Sequence, residues 1–116
     1  MKRAIGYLFL AEEDARLREY HKAQKIKQLD RLFRRINVED AALYIDEGPA
    51  GRCQRRRRAE LLDDLEDIAV FAAGNLFELG DDFRESLDVL ELLDAHHVRV
   101  ILIENHIDTA GVRDQT

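Results

Sequence analysis

Apolar and polar positions alternate along this chain in two rhythms. The run Ala4-Ile5-Gly6-Tyr7-Leu8-Phe9-Leu10 has no polar face and reads as a strand buried on both sides. From about Glu12 to Arg35 the rhythm changes. Ile26, Leu29, Phe33 and Ile36 step by 3, 4 and 3 residues, a helical stripe that Leu17 and Tyr20 precede. Acidic residues open this helix and Arg34-Arg35 close it, each end complementing the helix dipole, and Asn37 is a stop. Ala42 to Ile45 reads as a second strand. The segment Asp46-Glu47-Gly48-Pro49-Ala50-Gly51 holds the chain's only proline and is the strongest loop signal. A short helix from about Arg57 to Glu66, a strand at Ile68–Ala72 and a break at Gly74-Asn75 follow. Asp81 or Asp82 caps a helix to about Ala95, with Phe83, Leu87, Leu90 and Leu93 on one face. Val98 to Ile103 is the fourth strand, and the polar segment after Asn105 reads as irregular.

This β-α-β-α-β-α-β order predicts an α/β fold: three layers, with a mostly parallel central sheet of about four strands covered by helices on both faces. The length of 116 residues fits one domain. Sites in such folds lie at the carboxyl ends of the strands. Here those ends are Phe9 to Glu12, Asp46 to Gly51, Ala72 to Asn75 and Glu104 to Asp108.

Charge adds a polarity. The net charge is −6, yet residues 1–58 carry 15 basic and 9 acidic side chains, and residues 59–116 carry 3 and 15. The first half can face phosphate; the second is repelled by it. The single cysteine, Cys53, permits no internal disulfide and points to a reducing compartment. No apolar stretch has the length of a membrane span, so the expectation is a cytoplasmic protein with no membrane partner. The four histidines lack zinc-motif spacing and the glycines form no phosphate-cradling motif, so neither metal nor cofactor is expected. Asp46-Glu47 at a strand end also reads as an acid pair for magnesium or phosphoacceptor chemistry, but a receiver-type domain needs a late lysine and Lys27 is the last one.

Three stretches, in order, resemble the catalytic domain of the serine recombinases (the resolvase and invertase type). That family opens with a strand reading Tyr-x-Arg-Val-Ser, where the serine is the nucleophile; here it is Tyr7-Leu8-Phe9-Leu10-Ala11. Its second strand leads into Asp-Glu-Gly-x-Ser-Gly, an arginine and a Leu-Leu helix, matched by Asp46 to Arg52 and then Glu60 to Leu65. Its Leu-Asp-Arg-Leu-x-Arg segment is matched by Leu76-Phe77-Glu78-Leu79-Gly80-Asp81, with about two extra residues near Ala73-Gly74. Ile107 to Gly111 is similar to the segment after the family's fourth strand. The resemblance implies a resolvase-like domain over residues 1–111, with 112–116 as a tail.

The departures fall on the family's chemistry. Ala11 stands at the nucleophile, and without a hydroxyl no covalent phosphoserine can form. Phe9 replaces an arginine, and Phe77, Glu78 and Asp81 replace an aspartate and two arginines, placing carboxylates where the scissile phosphate would bind. The family's glutamine falls on Ala15. The loop arginine alone is retained: by spacing Arg55, although any of Arg52, Arg55, Arg56, Arg57 and Arg58 can serve. The resemblance thus implies a domain that is not an enzyme and that acts by binding, as a protein-interaction, dimerisation or regulatory module with a protein partner or a second copy. The alternative is an accessory DNA-binding domain in recombination, touching phosphates through Arg52–Arg58. A third reading, an unrelated α/β enzyme, would use Asp46, Glu47 or Glu104. Phe9, Phe77 and Phe83 read either as added core or as an apolar docking patch, with core packing slightly favoured.

Overall fold

The computed structural model describes residues 2–49 and 53–110. Strands β1 (Arg3–Leu10), β2 (Ala41–Glu47), β3 (Ile68–Ala73), β4 (Arg99–Leu102) and β5 (Ile107–Asp108) form one sheet in the order β2-β1-β3-β4-β5. β1 to β4 are parallel and β5 runs antiparallel to β4. The expected fold class is the one observed, with one strand more than the pattern predicts. β5 was illegible because only two residues pair. It is held from outside, by Arg99 donating two hydrogen bonds to the Asp108 carboxylate at 3.0 and 2.7 Å, and by the Thr109 hydroxyl accepting from the Val100 N–H.

β1 is central, and its side chains divide between two cores. Ile5, Tyr7 and Phe9 face one side, packed with Leu61, Leu65, Val89 and Leu93; Ala4 and Leu8 face the other, packed with Leu29, Leu32 and Phe33. Helix α1 (Ala15–Arg35) therefore covers one face, and α2 (Arg56–Asp63) with α3 (Phe83–Ala95) the other. α1 starts three residues later than the charge pattern implied, because Asp14 is its N-cap, accepting from the N–H groups of Arg16 and Leu17. It stops at Asn37, whose φ of 62° takes the left-handed turn that asparagine tolerates. α2 is also shorter than expected, with a turn of 3₁₀ helix, Leu65–Asp67, after it.

The face of α3 is the expected one in part. Asp82 caps it, and the fully covered side chains are Ser86, Val89 and Leu93, while Phe83 is 57% exposed. Phe77, in the 3₁₀ turn Leu76–Glu78, is 66% exposed. Of the three phenylalanines, only Phe9 joins the core; the expectation of core packing fails for Phe77, in the 3₁₀ turn, and for Phe83, the first residue of α3, whose side chains face outward.

Two glycines are fixed by packing rather than by dihedral. A Cβ on Gly6 would meet the side-chain ends of Leu43, Leu29 and Phe33, which can move. A Cβ on Gly80 would lie 2.7 Å from the backbone nitrogen of Ser86, which cannot move without shifting the first turn of α3. Gly80→Ala is expected to cost about 2–3 kcal/mol and Gly6→Ala about 1 kcal/mol, an order that urea denaturation of the two variants checks.

Candidate functional site

The C-terminal ends of β1 and β3 open into a cleft of about 490 Å³. Ala11 sits one residue past β1 in its wall, with Phe9, Arg55, Phe77, Glu78 and Asp81. Residues from three separate stretches of sequence thus meet where the pattern placed a site. α1, on the other side, contributes His21 and Lys25, which sequence reasoning missed. Both lie one turn apart on the helix face that overlooks the strand ends, but their spacing resembles no motif.

Arg55 is the centre of the cleft. Its backbone is left-handed (φ 49°) at the start of α2, and its side chain is 2% exposed. The guanidinium lies 3.7 Å from the Phe9 ring centroid. Nη1 donates to the Glu78 carbonyl at 2.7 Å and to the Tyr7 hydroxyl at 3.2 Å; Nε and Nη2 both donate to Asp81 Oδ1, at 3.2 and 2.9 Å. Burial works against the charge, but the bonds to Asp81 and Tyr7 outweigh it and raise the guanidinium pKa.

Asp46 explains why Arg55 is there. Its buried carboxylate accepts from the Tyr7 hydroxyl at 2.8 Å and from the N–H groups of Arg57 and Arg58 at 3.0 Å each. It therefore caps α2 from the end of β2 and fixes the turn that delivers Arg55. Read in the sequence as half of an acid pair, Asp46 is instead committed to the backbone. Glu47 points outward beside Arg18 and Lys22 at 3.8 Å. Glu104 accepts from the Asn75 side-chain amide at 2.8 Å.

Glu78 is 4% exposed. Its Oε2 accepts from the N–H groups of Gly74 and Asn75 at 2.9 and 3.2 Å, completing a capping box with Asn75, and its Oε1 accepts a short bond from Lys25 Nζ. Each cation in the cleft thus has a carboxylate of the same chain: Asp81 for Arg55 and Glu78 for Lys25. At the mouth, His21 Nδ1 lies 3.0 Å from Glu12 Oε1.

The remaining arginines of the loop are placed differently. Arg57 pairs with Glu60 at 2.5 Å and stacks over Tyr44; Arg58 pairs with Glu85 at 2.5 Å and donates to the Leu79 carbonyl. Arg56 is exposed and donates to the Gln54 side chain at 3.2 Å. Arg52 lies outside the described residues, as do Ala50 and Gly51. Among the described residues no group of three or more His, Cys, Asp or Glu converges as metal ligands, and no helix is long and apolar enough to cross a membrane.

As a sequence, the chain matches no protein-family model and no curated protein. Its geometry is that of an open, mostly parallel α/β domain with a cleft at the carboxyl ends of its strands. Among solved structures it is similar to the N-terminal catalytic domain of TP901-1 integrase, with a TM-score of 0.78 and 17% identity over 98% of this chain and 86% of that one. It is similar to the C-terminal catalytic domain of ISC1926 TnpA, an IS607-like serine recombinase (TM-score 0.74, 14% identity, 87% of this chain and 67% of that one). A resolvase family site-specific recombinase from Streptococcus pneumoniae gives a TM-score of 0.74 and 16% identity over 93% of this chain and 77% of that one. The chain has the serine recombinase catalytic-domain fold, as its motifs implied.

Removing Asp81 leaves a buried guanidinium with half its bonds. Asp81→Ala is expected to destabilise by about 3 kcal/mol, the lower end for a broken buried pair because Asp81 keeps 28% of its side chain in water. Replacing both partners, Arg55→Met with Asp81→Leu, should recover most of that loss in chemical denaturation. Tyr7 gives a pH signature. Burial, then the bond to Asp46, raises its pKa above the ordinary value of 10.0. The unfolded chain ionises first, so this stability is complete below pH 10 and declines as pH rises beyond it. Tyr7→Phe should flatten the alkaline limb of a stability–pH profile.

Proposed function

We propose that this domain is a non-catalytic relative of the serine recombinases that acts through binding, as an interaction, dimerisation or regulatory module with a protein partner or a second copy. The observation that carries the reading is the state of the cleft. Ala11 offers no nucleophile, and the two cations, Arg55 and Lys25, are neutralised by Asp81 and Glu78 of the same chain. A phosphodiester entering this cleft would have to displace both carboxylates from buried bonds and remain beside them. Phosphoryl transfer needs the opposite arrangement, cations free to meet charge as it develops. The exposed rings of Phe77, at the cleft, and Phe83, at the start of α3, favour contact with protein.

The second reading, an accessory role in which the arginine loop touches DNA, keeps some support from Arg56, which is exposed and, among the described residues, has no carboxylate partner. Arg55, Arg57 and Arg58 support it less, since each already has an acidic partner.

The cleft reading is tested by restoring the hydroxyl alone. Ala11→Ser, incubated with supercoiled plasmid and with duplex oligonucleotides, should give neither nicked product nor a covalent adduct surviving denaturing electrophoresis. An adduct would refute the reading. Binding is tested separately by sedimentation equilibrium and crosslinking: Phe77→Asp with Phe83→Asp should abolish the protein complex or dimer while leaving the fold intact.

A further inference from the structure

The three layers carry opposite charge. α1 has eight basic residues and two acidic ones and is the one helix, among the described residues, that covers its face of the sheet. On the other face α3 has one basic and four acidic residues, and α2 with the turn after it (residues 56–67) has three basic residues, all at its start, and five acidic ones, Glu60, Asp63, Asp64, Glu66 and Asp67. The charge asymmetry of the sequence is therefore a dipole across the domain.

The basic residues of α1 fall into two groups. Those near the strand ends are occupied: Arg18 and Lys22 lie beside Glu47, and Lys25 pairs with Glu78. Those along the outer ridge are not. Lys27, Arg31 and Arg35 are exposed and, among the described residues, have no carboxylate partner. They succeed one another at i, i+4 and i+8, so their Cα atoms rise about 6 Å per step along one edge of the helix. Arg31 and Lys27 also border a groove of about 340 Å³ between α1 and the turn after β4, which Gln24 and Gln28 line with amide donors. Glu104 also lines this groove, where it accepts from the Asn75 amide; Asp30 and Glu39 line a neighbouring groove with Lys27, and Asp30 is paired with Arg34.

We infer that the outer ridge of α1, through Lys27, Arg31 and Arg35, is a docking surface for the phosphate backbone of nucleic acid, separate from the cleft and from the arginine loop. An evenly spaced row of free cations on a straight element fits a linear polyanion whose charges repeat along its length. The acidic side chains of α3 and of the turn before β3 would orient the domain with α1 toward the polyanion. A second copy docking its acidic layer onto α1 is a weaker fit. Glu60, Glu85 and Asp88 of that layer are already paired with Arg57, Arg58 and Arg84 of their own chain.

The inference stands apart from the cleft reading, so either can fail without the other. It is tested by fluorescence anisotropy of a labelled duplex titrated with the whole chain over a salt series, with sedimentation equilibrium on the same samples. Three phosphate contacts predict a log–log salt slope of about −2.7. The triple variant Lys27→Ala, Arg31→Ala, Arg35→Ala should lose tenfold or more in affinity and most of that slope, with its circular dichroism unchanged. Arg56→Ala should stay within twofold. Three outcomes overturn the inference: no binding at low salt, binding lost with Arg56→Ala but kept by the triple variant, or a salt-sensitive self-association abolished by the triple variant without DNA affinity.

Discussion

The carboxylate of Asp46 is the joint on which this architecture turns. It sits at the last covered position of β2, takes a hydrogen bond from Tyr7 on the neighbouring β1, and caps the amide groups that open α2. One buried charge therefore sets the register of two strands against the start of a helix. Its cost in lost hydration is offset by three donors, two of them backbone groups that would otherwise be unsatisfied at the helix end. From that joint the rest follows in sequence. α2 begins where it must, Arg55 is thrown inward with a left-handed backbone, and its guanidinium spans β1, the 3₁₀ turn and Asp81.

The same network explains how a recombinase fold persists with different occupants in its cleft. In the pattern that the sequence resembles, arginines meet phosphate. Here, two of the positions expected to be basic are Glu78 and Asp81, and each has found a cation of the chain itself. Glu78 has a second structural use, since it closes a capping box and bonds the Gly74 amide. Such a cleft is an electrostatically closed unit, and its polar groups stabilise the fold without an external anion. The exchange of ligand contacts for internal pairs supports a role carried by the surface rather than by the cleft.

How much of this was legible beforehand depends on the range of the interaction. The four parallel strands and three helices declared themselves through local periodicity, and the glycine–proline loop through turn chemistry. β5 did not, because its two paired residues carry no period and are fixed by Arg99 and Thr109 from β4 and beyond. The face of α3 was read in part: of Phe83, Leu87, Leu90 and Leu93, Leu93 is buried and Leu90 packs against the core, but Phe83 is exposed and the small Ser86 and Val89 are buried instead. At the site, motif order brought Phe9, Ala11, Arg55, Phe77, Glu78 and Asp81 to one cleft. The partners Lys25 and Tyr7 were invisible, because a lysine 53 residues from its carboxylate and a tyrosine 39 residues from its acceptor leave no spacing to read. The acid-pair reading of Asp46 and Glu47 failed for a related reason: Asp46 is buried against Tyr7 and the first amides of α2, while Glu47, on the opposite side of the strand, is exposed beside Arg18 and Lys22.

The position of β1 has a consequence for how the protein is made. It is synthesised before the other four strands of the sheet, seven of its eight residues end up buried, and its two neighbours are β2 and β3. Parallel pairing allows no hairpin, so β1 can satisfy its second edge only after the chain has been synthesised as far as Ala73. Until then an apolar segment with an open backbone edge waits unpaired or in the company of a chaperone. The paired α1, already complete and strongly cationic, is the element best able to cover one of its faces and keep the nascent chain soluble during that interval.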